Sequence, residues 1–343
     1  MKTRSWGSIT IGLIVLMGLS IVLTVAMGPV YIPPGEIMEM LSPSYLIEIV
    51  TDILNGNELS THEIIIFQVR LPRILLGLLV GAALSVAGAV MQGLFKNPMA
   101  DPYIIGISSG AGLGAAFCIA SGIVFGYATP LMAFIGALTA IFLVYNIARV
   151  GGKVPIDTLL LSGIAVSYFL SAITSFLMYM SDNLHQIVFW LMGGLDGGRW
   201  IHVKILFPII FFGILTIYFF SRDMNVMLLG EESAQHLGIE VEQFKGIMMI
   251  LASLITAAAV SVSGLIGFVG LMIPHIMRLL FGPDHRILIP SSALAGGIFL
   301  VWTDTLARTI LAPTELPVGI LTAFFGAPFF IYLLRSRKRE IFG

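Results

Sequence analysis

The chain alternates long apolar runs with short polar breaks, and the runs set its organisation. About 20 apolar residues in a helix cross about 30 Å of hydrocarbon. Ten windows meet that length, at roughly 9–30, 71–94, 104–125, 129–148, 158–180, 203–220, 246–262, 264–281, 287–307 and 318–334. Each predicts a helix, because an isolated strand leaves its backbone unpaired in lipid. The pattern therefore predicts an all-α integral membrane protein of about ten transmembrane helices, in one domain covering residues 1–343. The windows within 246–281 nearly touch, so their division is the least defined. The first run is too long for the apolar core of a signal peptide and reads as a retained span.

One stretch anchors the rest. Arg70–Ala115 reads RLPRILLGLLVGAALSVAGAVMQGLFKNPMADPYIIGISSGAGLGA. Two arginines stand at its entrance. A glycine-laced apolar run leads to a polar break at Lys96–Asp101, and a second glycine-laced run returns. Gly77 and Gly81, like Gly110 and Gly114, are four apart, a spacing that lets helix backbones approach closely. Gly110–Gly114 follows a membrane span rather than a strand, so it does not read as a nucleotide loop.

Composition agrees with the pattern. Hydrophobic residues make up 57% and charged residues 11%, against about 25% charged in average soluble proteins. A net charge of −1 offers no basic surface for nucleic acid, and the single cysteine, Cys118, excludes an intrachain disulfide.

Basic residues in short loops orient the spans. With the N-terminus inside, the cytoplasmic group is Lys2, Arg4, Lys96, Arg149, Lys153, Arg222, Lys245, Arg278, Arg286 and the tail Arg335, Arg337, Lys338 and Arg339. The outer group is Arg70, Arg73, Arg199, Lys204 and Arg308. The excess places both termini in the cytoplasm and leaves five outer basic residues to explain. Arginine at a span end snorkels readily, and Arg308 stands four residues from Asp304, a pairing distance on a helix.

Two hydrophilic segments stand out. The outer one, residues 31–69, holds Glu36, Glu39, Glu48, Asp52, Glu58 and Glu63 but no Lys or Arg. Its Ile37, Met40, Leu41, Leu46, Ile49, Val50, Ile53 and Leu54 recur at near-helical spacing, which predicts an amphipathic helix or two lying at the surface. The inner one, residues 221–245, contains EESAQHL between Gly230 and Gly238. Glu231 and Glu232 fall where a helix N-terminus favours acids. A short helix there is either a docking element or an ordinary surface turn.

The chemistry of an enzyme is missing from the sequence. No Walker A loop, HExxH or GxSxG occurs, so ATP hydrolysis, if used, belongs to another chain. The spans carry almost no acids, which disfavours ion coupling. A secondary transporter and a non-transporting membrane scaffold are the rival classes.

Several motifs together resemble the FecCD-type permeases, the transmembrane subunits of type II ABC importers for ferric siderophores, haem and cobalamin. They are RLPR at Arg70–Arg73, KNPMADP at Lys96–Pro102, GISSGAGLG at Gly106–Gly114, LGEESAQHLGI at Leu229–Ile239, and GLIGFVGLMIPHIMRLLFGPDHR at Gly264–Arg286. The resemblance implies a dimer enclosing the pathway, two ATPase subunits carrying ATP and magnesium below, and a substrate-binding protein above. It implies that Arg70, Arg73 and Arg308 meet acids of that binding protein. It places ATPase coupling at Gly230, Glu231, Glu232, Ala234, Leu237 and Gly238. It sets a cytoplasmic gate at Asn97 and Met99, with Ile156 at a second narrowing.

Overall fold

The computed structural model describes residues 4–342, apart from 29, 31, 41, 43, 46, 48, 50, 52–58 and 124–125. Its regular elements are helices. They are α1 (Arg4–Ala26), α2 (Pro34–Met40), α3 (Thr61–Leu94), α4 (Ile107–Ala120), α5 (Ala128–Ala148), α6 (Ile156–Met180) and α7 (Leu184–Met192). They continue with α8 (Trp200–Phe219), α9 (Ser221–Met227), α10 (Glu231–His236), α11 (Val241–Ser263), α12 (Val269–Phe281), α13 (His285–Thr309) and α14 (Val318–Phe342). Seven are long and apolar enough to span a membrane, and Ile107–Ala120, Val269–Phe281 and Val318–Leu333 are shorter apolar helices. Together these account for the ten predicted windows.

α3 is the central post. It packs against α13, α11 and α12, and most of its last 24 residues are buried. The glycine spacing explains how. A Cβ at Gly88 would overlap the Gly270 carbonyl of α12, and one at Gly81 would overlap the Gly296 carbonyl of α13. Gly110 and Gly114 meet the backbone of Gly136 and Met132 in the same way, which locks α4 to α5. Backbone contact replaces the hydrophobic drive that is absent between helices in lipid.

The entrance to α3 corrects the sequence reading. The helix does not begin at Arg70. It begins at Thr61, where Ser60 and Glu63 form a reciprocal capping box: the Ser60 hydroxyl accepts from Glu63 N, and the Glu63 carboxylate accepts from Ser60 N at 2.6 Å. Residues Ile64–Arg70 then make a π-helical stretch. Arg70 and Arg73 therefore lie well inside a 34-residue helix.

The segment before α3 forms a second, smaller core. Val25, Ile32, Ile37, Met40 and Ile49 pack with Ile66, Phe67, Ile74 and Val301. The Tyr45 hydroxyl donates to Glu63 at 2.7 Å, and His62 Nδ1 lies 2.7 Å from Glu36 Oε1. Leu41, Leu46, Val50, Ile53, Leu54, Glu48, Asp52 and Glu58 lie outside the described residues. The near-continuous windows at 246–281 divide at Gly264 and Phe268, both with positive φ, of 63° and 67°.

Candidate functional site

The outer rim is built around the arginines, and each is held by the chain itself. Arg70 is 3% exposed. Its guanidinium donates to the Val25 carbonyl at 2.7 Å and to the Val30 carbonyl. It therefore caps the carbonyl end of α1, where the unpaired carbonyls and the helix dipole favour a cation. Gly28 makes room for it: a Cβ there would stand 2.6 Å from Arg70 Nη2.

Arg73 and Arg308, at 7% and 3% exposed, share one carboxylate. Arg73 donates to Asp304 Oδ1 from Nε at 3.0 Å and from Nη2 at 2.8 Å. Its third arm, Nη1, reaches Glu315 at 2.8 Å. Arg308 Nε lies 3.3 Å from the other Asp304 oxygen, the i,i+4 pair anticipated from spacing, and its Nη2 donates to Thr305 at 3.2 Å. The network joins α3, α13 and the turn before α14. Sequence reasoning missed the Arg73 partners, which lie 231 and 242 residues away. Arg70, Arg73 and Arg308 are thus buried and partnered within this chain, and Glu315 is the partly exposed member of the cluster.

The opposite rim is arranged differently. Gly230 and Gly238 adopt φ of 123° and 88°, which suits glycine, and they bracket α10 as expected. Glu231 and Glu232 occupy its first turn, and Ala234 packs inward. Glu231 Oε1 meets the buried Lys245 Nζ at 2.6 Å and so pins α10 to α11. Leu229 and Leu237 flank the glycines and stand 70% and 64% exposed. The neighbouring turn is tied in by Val154 N, which donates to Glu242 at 3.2 Å. Beside it, Asn225 donates to Asp284 at 2.7 Å and accepts from His285 N at 2.8 Å. Hydrogen bonding from Arg286 is the main cause that holds the Asp284 carboxyl down to about 2.

Asn97, Met99 and Ile156 belong to this rim. Asn97 Oδ1 accepts from Met99 N at 2.9 Å, a side-chain turn that lets the chain reverse after α3. Lys96 takes the left-handed conformation beside it, with φ 47°. Met99 is half-buried, and Ile156 is the half-buried first residue of α6.

Between the rims, two open helix faces differ. α8 turns out Ile205, Phe207, Phe211, Phe212, Leu215 and Phe219, an apolar set suited to lipid. α6 turns out Tyr168 and Tyr179, 76% and 87% exposed, with Ser171 and Ser175 between them. Tyr168 is the middle residue of the helix, so this face would set hydroxyls in hydrocarbon unless something polar or another chain covers it.

A bundle of this length and polarity is a multi-pass membrane protein. The FecCD transport family model matches residues 7–336, and the chain belongs to that family. It is 51% identical over 279 residues to the cobalamin import system permease protein BtuC of Halobacterium salinarum, covering 81% of this chain and 75% of that one. It is 41% identical to the hemin transport system permease protein HmuU of Yersinia pestis, covering 80% and 83%. A solved metal-chelate type ABC transporter in an inward-facing conformation superposes with a TM-score of 0.83 at 31% identity, covering 96% of this chain and 99% of that one.

Proposed function

We propose that the chain forms half of the membrane channel of an ABC importer that carries a metal chelate, of the cobalamin, haem or ferric-chelate class, into the cytoplasm. The observation that carries this reading is the α6 face. Tyr168 and Ser171 set hydroxyls near the middle of α6, and Ser175 and Tyr179 continue that line toward its end. A second copy, or a paralogous permease, placed against this face encloses a pathway whose wall holds few specific groups. A bulky chelate passes such a wall after selection elsewhere. The named cargoes of the relatives support the class.

Partners follow from the rims. Two ATPase subunits, which bind ATP and magnesium, dock on the cytoplasmic face over Leu229, α10 and Leu237, where apolar side chains have no intrachain cover. Force enters through α10 and passes to α11 by the Glu231–Lys245 pair. Asn97, Met99 and Ile156 narrow the cytoplasmic end. A substrate-binding protein docks on the outer rim around Glu315, with Arg70, Arg73 and Arg308 fixing the rim's shape and charge. Both termini are cytoplasmic.

The test is co-purification and ATPase stimulation. The permease with its ATPase and binding protein, in nanodiscs, is expected to hydrolyse ATP faster when the loaded binding protein is added. Unchanged hydrolysis with a stable complex would favour a non-transporting scaffold. Uptake driven by an ion gradient without the ATPase would establish a secondary transporter.

A further inference from the structure

The central helix changes register once. Through Ile64–Arg70 α3 is π-helical, each N–H bonding the carbonyl five residues back, and from Leu71 it is α-helical. Leu71 N–H closes one of the wide turns on the Ile66 carbonyl. The next wide turn needs an N–H on residue 72, and that residue is proline, which has none. The Phe67 carbonyl therefore stands at the junction without a wide-turn donor. Trp200, the first residue of α8, supplies one: its Nε1 donates to Phe67 O at 2.7 Å.

That carbonyl has two alternative donors. In the present register it takes the indole. In an α register its partner four residues on is Leu71, whose N–H would pass from Ile66 to Phe67. Both registers satisfy the same oxygen, and only the π form needs Trp200. Stretches of this kind are rare and frequently mark functional sites.

Packing decides what a change of register moves. Beyond the junction α3 is fixed, by Arg73 on Asp304 and Glu315 and by Gly81 and Gly88 against the backbones of α13 and α12. Ahead of it, Ile66 and Phe67 pack with Ile32, Ile37 and Met40, and Glu63 accepts from Tyr45. Winding back to the α register turns everything ahead of the junction by about 100°, one residue of an α-helix. Trp200 in turn ends a glycine-laced strap, residues 193–200, that joins α7 to α8. Gly194 N donates to the Ser263 carbonyl at 2.8 Å, and a Cβ on Gly198 would stand 3.1 Å from Arg73 Cα. The strap thus lies along α3 and finishes on the indole.

We propose that Ile64–Arg70 is a register switch: Trp200 latches it in the π form, and withdrawal of the indole lets it wind to the α form and turn the segment packed ahead of it. A displacement of the strap is thereby passed to the smaller core at the arginine rim.

The experiment measures the distance between two spin labels on the purified protein in nanodiscs, with Cys118→Ala removing the native thiol. Thr61→Cys and Leu311→Cys place the labels on exposed residues, the first ahead of the stretch and the second just past α13. Trp200→Phe keeps a ring and removes the N–H. It is expected to add a second distance, displaced by up to about 8 Å, as a turn of about 100° on a helix about 10–12 Å across implies. Amide exchange in this variant should quicken over residues 60–73 and stay unchanged over 74–94. Trp302→Phe, which removes the indole donor to Ser20 Oγ on α1, is the control and should leave the distance as in the wild type. An unchanged distance in Trp200→Phe would overturn the proposal. So would the same shift in Trp302→Phe, or exchange that quickens through 74–94, since either marks general loosening rather than a change of register. Neither measurement uses a partner or a cargo, so its outcome is independent of the transport reading.

Discussion

The two rims of the bundle use charge in opposite ways. At the outer rim the arginines Arg70, Arg73 and Arg308 are buried, and carbonyls or carboxylates of the same chain occupy them. At the opposite rim a single buried lysine fixes α10, and Leu229 and Leu237 stand exposed among the polar groups of its surface. The outer rim is thus a set of internal clamps. The opposite rim holds α10 by one ion pair and presents uncovered apolar surface at Leu229 and Leu237. The buried arginines are satisfied within the chain, whereas the two exposed leucines flanking α10 have no intrachain cover.

The difference predicts where substitutions act on folding and where they act on assembly. Asp304→Ala removes the carboxylate shared by two buried guanidinium groups and is expected to cost about 3–5 kcal/mol. Cys118, fully buried, is a ready reporter: a thiol-reactive dye should label it at a clearly lower temperature in this variant. A melting temperature like the wild type's would mean that Arg73 and Arg308 do not depend on Asp304. Arg70→Met leaves the Val25 and Val30 carbonyls without their donor, at about 1–3 kcal/mol, and should speed hydrogen exchange at the end of α1. Glu315→Gln should cost about 1 kcal/mol or less, because that side chain is about a third exposed.

Leu229→Asp and Leu237→Asp sharpen the other half of the comparison. Both should leave melting within about 0.5 kcal/mol of the wild type, as surface changes do. Both should strip the ATPase subunits during co-purification. Retained ATPase with normal coupling would remove this face from the interface.

The smallest effect is one of pH. The Asp284 carboxyl, at about 2, sits below its ordinary value of 3.8. Its contribution is therefore fully present above about pH 4 and is lost as pH falls toward 2. Protection of the amides at the start of α13, taken relative to intrinsic exchange at each pH, should fall over that interval in the wild type, and Asp284→Asn should show no such loss. An unchanged profile in the variant would place the titrating group elsewhere.

Much of this was readable from the sequence, for identifiable reasons. Span positions follow from composition alone, and the glycine spacing at 77–81 and 110–114 anticipated backbone contact. The short helix between Gly230 and Gly238 was legible because both glycines were needed for positive φ. The start of α3 was missed, although Ser60–Glu63 carries the capping-box spacing; the apolar window at 71 drew attention away from a signal ten residues earlier. α7 was missed because nine residues are too few to register as a span. The Arg73–Glu315 pair was out of reach, since its partners are far apart in sequence and no period links them. The α6 face illustrates the same limit. Tyr168 and Ser171 look like ordinary span residues until the packing shows which side they are on.

On the proposed reading, this chain forms half of the pathway of an ATP-driven chelate importer. Proteoliposomes containing the permease, its ATPase and its loaded binding protein test it most directly, with radiolabelled cobalamin and haem as first cargoes. The account predicts uptake of a chelate that requires ATP on the α10 side and continues when ion gradients are collapsed. Uptake that persists without the ATPase and stops with the gradient would contradict it.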